Sequence, residues 1–278
     1  MRLARWTTLA AVVALALAAC APTDESSGDA PSDGSLATLT DGILTVATSD
    51  PAYEPWVLDN DPSTGKGFES AVAYAVAEQL GFDKDHVTWV SDSFDQIIAP
   101  GAKDFDFALN QVSISDERKA SLDFSSPYYQ TAQAVVTLTG SAAESATTLA
   151  ALKPLRIGAM VGTTSLTSAQ ETIAPATPVQ VFNDNDQVKQ ALTSGLVDAI
   201  VVDLPTALYI TAAELDGGIV LGQLPDSAGG DEFGIVLDKD NPLTSSVSAA
   251  VDALRENGTL ADLETEWLTD AAGAPVLK

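Results

Sequence analysis

Only 13 of the 278 residues are lysine or arginine, one is cysteine and one is histidine. Each scarcity removes a class of function. Against 39 acidic residues the basic ones leave a formal net charge of -26. A surface of that sign repels phosphate, so a nucleic-acid partner is excluded. The acidity itself reads as a device for solubility. A single cysteine permits no intramolecular disulfide and no multi-cysteine metal site, so an apolar core must hold the fold. The one histidine, His86, falls between a helical pattern and the strand-like VTWV, a surface position with no acid–base partner at catalytic spacing. No cofactor or metal is expected. No internal repeat is visible.

The apolar run Leu9 to Ala19 follows Arg2 and Arg5 and leads through small residues to Cys20. That order is the layout of an export signal, expected over residues 1–19. The run is too short to cross a hydrocarbon core of ~30 Å as a helix, which takes about 20 apolar residues. Residues 21–38 (APTDESSGDAPSDGSLAT) carry almost no large apolar side chains and cannot bury enough surface to fold. A flexible tether is therefore expected over residues 20–40.

With 46% hydrophobic residues the chain is long enough for one large or two ordinary domains. Strand candidates are Ile43 to Thr48, Val87 to Val90, Phe105 to Leu109, Arg156 to Met160, Pro178 to Phe182 and Ala199 to Val202. The clearest helix is Phe68 to Leu80, with Phe68, Ala71, Val72, Ala75, Val76 and Leu80 on one face and Gly81 as its stop. A second helix runs from Asp186 to Ser194. A third is expected to be capped by Asn241 and opened by Pro242, and a fourth starts at Thr259. Alternating strands and helices predict an α/β fold with mostly parallel sheets covered on both faces. Two linker-like segments, Gly140 to Thr148 and Pro225 to Gly230, interrupt the pattern and are candidates for crossings between two lobes. The lobe limits expected are residues 41–131 and 232–278 for lobe I and residues 132–231 for lobe II with the hinges. Ligands of open α/β sheets bind beyond the carboxyl ends of strands, which makes the cleft between the lobes the expected site.

The segment Asn110 to Tyr129 (NQVSISDERKASLDFSSPYY) is the most informative. Ser113, Ser115 and Arg118 follow directly on a strand, where hydroxyls and a guanidinium can meet an anion. A guanidinium fork suits a carboxylate because it offers two parallel charge-assisted hydrogen bonds. A solvated arginine in a charged turn is the competing reading. Gly162, Thr163 and Thr164 sit at a strand-to-helix turn whose unpaired N–H groups favour an anion, and plain helix capping is compatible with that role. Asp203 ends an apolar strand, where a carboxylate is costly unless a cation pairs with it. Helix N-capping is the alternative for Asp203.

LAAC at Leu17 to Cys20 resembles the lipobox of bacterial lipoproteins, which implies acylation of Cys20 and attachment to the cell membrane. SISDER followed by DFSSPYY, together with GFESAVAYAVAEQLG, GTTS, LVDAIVVD, EFGIVL and ENGTLADLETEWL, resembles the family 3 extracellular solute-binding proteins, capture components of polar amino-acid ABC transporters. The match covers nearly all of residues 41 to 270. It implies a two-lobed, type II periplasmic-binding-protein-like fold. It also implies that Arg118, assisted by Ser113, binds a ligand α-carboxylate, that the GTTS turn binds it from the other lobe, and that Asp203 accepts from the α-ammonium. Tyr53 and Phe94 match aromatics that enclose the ligand side chain, and Asp50 matches an acidic position facing a basic side chain. Gln111 departs from the Gly or Ser of relatives and either intrudes into the pocket or turns outward. Met160 stands where some relatives are polar.

The expected function is extracytoplasmic capture of an amino acid by a lipid-anchored, monomeric clamp that hands its ligand to an ABC permease, without catalysis. A ligand-sensing lipoprotein serving a membrane receptor and a dehydratase-like enzyme on the same fold are the alternatives.

Overall fold

The period-2 alternation of side chains decides how each strand is used. In β1 (Leu44–Thr48), Leu44 and Val46 enter one apolar cluster and Ala47 another, so both faces of the strand are covered. The computed structural model describes residues 36–225, 230–268 and 274–278. The expected signal, Cys20 and most of the tether lie outside the described residues. Among the described residues no helix is long and apolar enough to cross a membrane.

The first sheet has the order β2-β1-β3-β12-β4, with β2 (Val87–Ser91), β3 (Phe107–Ala108), β4 (Leu122–Phe124) and β12 (Val236–Asp238). Its larger face is covered by α1 (Phe68–Gln79), α8 (Thr244–Glu256) and α9 (Thr259–Trp267), through Phe68, Val72, Val76, Val247, Val251 and Leu260. α2 (Phe94–Ile98) places Phe94 and Ile97 on the opposite side. The short α3 (Asp116–Lys119) follows β3 and is capped by Ser115.

The second sheet has the order β10-β6-β9-β7-β8, with β6 (Gln133–Leu138), β7 (Ile157–Met160), β8 (Gln180–Phe182), β9 (Ala199–Asp203) and β10 (Gly218–Gln223). In β9, Ala199 and Val201 join one core and Ile200 and Val202 the other. The covering helices are α4 (Leu149–Leu152), α5 (Thr164–Ser168), α6 (Asn185–Thr193) and α7 (Leu204–Ala213). Each sheet is mixed rather than mostly parallel. The pairs of β1 with β2 and β3, and of β7 with β8 and β9, are parallel, whereas β12, β6 and β10 run antiparallel to their neighbours.

The antiparallel strands arise from the crossings. β5 (Tyr129–Thr131) pairs antiparallel with β11 (Asp231–Phe233), and β6 begins directly after β5. The outward crossing is thus at Ala132, ahead of the linker-like segment Gly140 to Thr148. That segment belongs to the second lobe, where Ala143 and Ala146 are buried. The return passes through the second expected segment, of which residues 226–229 lie outside the described residues. Beneath this ribbon Trp56 meets Phe68, Tyr129 and Phe233 edge-on, with ring centroids 6.0, 5.7 and 5.7 Å apart. Such pairs contribute ~0.5–1.5 kcal/mol each beyond burial.

Two further expectations are corrected. α8 starts at Thr244, after a turn in which the Asn241 side chain accepts from the Leu243 amide at 2.8 Å. The terminal residues 274–278 pack on the second sheet, not in lobe I. There Gln223 N–H donates to the Pro275 carbonyl at 2.7 Å, Leu277 N–H donates to the Gln223 carbonyl at 2.8 Å, and Leu277 is 2% exposed.

Candidate functional site

The carboxyl ends of β1, β2, β3, β7, β8 and β9 converge on one cleft between the two sheets, the position that open α/β sheets reserve for ligands. It contains about 730 Å³ of non-atom space, part of it open to solvent. Ten of the eleven residues expected at a binding site line it: Asp50, Tyr53, Phe94, Gln111, Ser113, Arg118, Met160, Thr163, Thr164 and Asp203. Gly162 stands behind the wall and takes part through its backbone carbonyl.

Ser115 caps α3 by accepting from the Arg118 amide at 3.2 Å, which sets the start of the turn that carries the guanidinium. Arg118 Nη1 donates to the Ser113 carbonyl at 2.6 Å and Nη2 to the Gly162 carbonyl at 2.9 Å. The second bond crosses between lobes. The guanidinium also lies 5.6 Å from the Phe94 ring centroid. Among the described residues no carboxylate lies within ion-pair distance of it. Burial lowers the pKa of Arg118, while Asp231, Glu117 and Asp203 act in the opposite direction. The positive charge is held partly out of water, anchored by neutral carbonyls.

Across the cleft, Thr163 caps α5 by accepting from the Leu166 amide at 3.2 Å, and its hydroxyl donates to the Met160 carbonyl at 2.8 Å. Thr164 Oγ1 is 3.1 Å from Ser113 Oγ, a second contact between lobes. Gly162 has φ +72°, and a Cβ there would stand 3.2 Å from Asp95 Oδ1, so only glycine fits without strain. Met160 packs against apolar clusters of both lobes.

Asp203 occupies the N-cap position of α7 but caps nothing. Its Oδ1 accepts from Gln133 Nε2 at 2.7 Å. Burial first, then Asp231, pushes its pKa up to about 7, although the Gln133 bond and Arg118 act the other way. The carboxylate is thus short of positive partners.

Gln111 adopts φ +48°. Its amide N–H donates to Glu69 Oε1 at 2.7 Å and its side-chain Nε2 donates to Glu69 Oε2, while Tyr128 OH also donates to Glu69. The Gln111 amide is therefore turned toward a fully buried carboxyl, and the residue contributes to the cleft wall around it. Tyr53 lies with its ring 5.6 Å from Lys189 Nζ, and burial, Asp186 and Asp184 all raise its pKa. This brings the loop after β1 against the start of α6. Asp50 Oδ1 accepts from Asn60 Nδ2 at 3.0 Å.

Sequence reasoning missed Asn183, Asp184 and Asn185 in the cleft wall. Asp184 accepts from the Gln187 amide at 2.7 Å as the cap of α6, and that ordinary cap pattern concealed it. Ser93 caps α2 in the same way. Behind the wall, Gln133, Asp231 and Glu69 were also missed. His86 is exposed, as expected.

Residues 44–270 match the model of the bacterial extracellular solute-binding proteins, family 3. The L-arginine-binding protein of Pseudomonas aeruginosa is 30% identical over 225 residues, covering 78% of this chain and 85% of that protein. The L-cystine-binding protein TcyJ of Escherichia coli is 30% identical, covering 81% of each. Among solved structures, an ancestral arginine-binding protein bound to arginine superposes with a TM-score of 0.68 at 29% identity, over 81% of this chain and 98% of that one. An ancestral amino acid-binding protein described as a precursor of cyclohexadienyl dehydratase gives 0.68 at 27%, over 82% and 96%. The fold and cleft define a two-lobed solute-binding protein. The chain belongs to the bacterial extracellular solute-binding proteins, family 3.

Proposed function

We propose that the cleft captures an α-amino acid, with preference for a cationic side chain, for delivery to an ABC permease. The observation that carries this reading is one cavity lined by Arg118 from the first lobe and Asp203 from the second. Two opposite charges held apart by neutral groups match a zwitterion. Arg118 with the hydroxyls of Ser113, Thr163 and Thr164 takes the carboxylate, and Asp203 takes the ammonium. Tyr53, Phe94 and Met160 enclose the side chain. Asp50 and Asp184 add negative charge to the same wall, against a single guanidinium, which favours a ligand with an additional positive charge. Among the relatives, the L-arginine-binding protein agrees with that sign, whereas the L-cystine-binding protein TcyJ is named for a ligand without a cationic side chain.

A ligand touching both lobes favours closure because only the closed state makes both sets of contacts. Calorimetry across L-arginine, L-lysine, L-histidine, L-cystine and L-glutamate tests the reading: cationic amino acids should bind tightest and return chemically unchanged. Preference for glutamate, or recovery of a converted product, would overturn it. Anchoring through a lipid on Cys20 is part of the proposal. Cys20→Ser should release the protein into the soluble fraction with ligand affinity intact; a variant that stays with the membrane would refute the anchor.

A further inference from the structure

Gln133 is the first residue of β6, directly after the crossing between lobes, and is 3% exposed. Its Oε1 accepts from Ser165 Oγ at 2.7 Å, which fixes the orientation of the amide. Its Nε2 then donates to two carboxylates, Asp203 Oδ1 at 2.7 Å and Asp231 Oδ2 at 2.6 Å. The same Asp231 oxygen accepts from Thr164 Oγ1 at 2.8 Å. Asp231 is thus one layer behind the cleft, joined to it through Thr164 on one side and through Gln133 and Asp203 on the other.

One neutral amide satisfies the geometry of two carboxylates but supplies no charge to offset them. The groups facing this pair are Arg118 across the cleft, which lies beyond ion-pair distance, the buried Glu69, which adds further negative charge, and the phenols of Tyr128 and Tyr129, which Asp203 helps to keep protonated. Two like charges within such a radius resist simultaneous ionisation.

We propose that Asp231 is a positioning and specificity-determining residue that makes the ammonium-reading end of the cleft a two-carboxylate site. This deepens the amino-acid reading and rests on it. Before binding, Asp203 is partly protonated, because burial and the neighbouring Asp231 both oppose its ionisation. When the ligand enters, its ammonium, carrying its own protons, donates to Asp203, and the proton held by Asp203 leaves to solvent. The ligand's positive charge replaces the proton, so the site discriminates against a neutral or acylated amine more strongly than one carboxylate would. The upward displacement of the Asp203 pKa to about 7 has this direction.

The test is calorimetry of the full chain with the tightest binder among L-arginine, L-lysine, L-histidine and L-cystine, at pH 7 in phosphate and in Tris. The dependence of the observed enthalpy on buffer ionisation counts the protons exchanged. The wild type should release about half a proton, and affinity should weaken by up to about tenfold per unit as pH falls below 7. Asp231→Asn keeps an oxygen for Thr164 and Gln133 but removes the charge. Its proton release at pH 7 should fall toward zero, and the onset of weakening should move down by about one pH unit or more. A merely structural role would leave that profile in place. Asp231→Ser gives the same comparison should the asparagine variant not fold. Binding by the wild type without proton release, or an unchanged profile in the variants, overturns the proposal. If none of the amino acids binds the wild type, the amino-acid reading itself falls and takes this inference with it.

Discussion

Arg118→Ala is the perturbation with the most direct reading. In the folded chain the guanidinium donates to the Ser113 and Gly162 carbonyls and meets no carboxylate within ion-pair distance among the described residues. Its removal therefore leaves two carbonyls to rehydrate but strands no buried acid in the free protein. In the complex the proposed ligand carboxylate would lose its charged partner. Breaking a buried pair in that way costs about 3–5 kcal/mol. Arg118 is only partly buried, so the lower figure applies, about 3 kcal/mol, or roughly two powers of ten in affinity. A thermal-shift titration turns this into a clear difference. At a ligand concentration of about 100 times the wild-type Kd, the wild type gains about 2.7 kcal/mol, and the variant should gain only about 0.3 kcal/mol. Arg118→Lys should fall between them, because a point charge remains while the two-pronged donor is lost. An Arg118→Ala protein that binds within threefold of the wild type by calorimetry would refute the assignment of the carboxylate to this residue.

Thr206→Val removes the acceptor of the Trp56 indole N–H, a buried bond between the lobes at 2.9 Å, and should cost about 1–3 kcal/mol, read as a lowered denaturant midpoint. Glu69 is fully buried, and desolvation raises its pKa to about 7 despite three donors. A carboxyl with a raised folded pKa contributes stability that is fully present below its unfolded pKa and is lost as pH rises through the folded value. Between about pH 4.5 and 7 the wild type should lose up to about 1.4 kcal/mol per pH unit relative to Glu69→Gln, measured as the pH dependence of the difference in unfolding free energy. A Cβ at Gly222 would sit 2.4 Å from the Pro275 carbonyl, so Gly222→Ala should displace the terminal tail and destabilise by about 1–3 kcal/mol, with faster proteolysis of the C-terminus as the readout.

What could be read from sequence follows from where each residue gets its role. Asp203 ends an apolar strand, and Arg118 and Thr164 lie in the short helices that follow apolar strands, where a polar group has few explanations besides a ligand or a cap. The strands that set up the lobes were visible for the same reason, since Ile200 and Val201 declare a two-faced strand by their neighbours alone. Gly140 and Ser141 mimic a linker, whereas the passage at Ala132 is a single residue between two strands. β5 and β11 are each three residues long, too short to give a periodic signal, and their pairing is a long-range fact. Asp231 and Gln133 enter the site only through that pairing. They are 98 positions apart, and no local pattern connects an amide that opens β6 to a carboxylate on β11. The charge of the cleft is therefore set partly by the hinge, so a substitution there can alter which ligand is bound without touching the ligand. That gives the hinge strands a second role besides rotation, and it is why Asp231, invisible as a site residue in sequence, is the side chain whose replacement best separates a charged-amine site from a generic polar one.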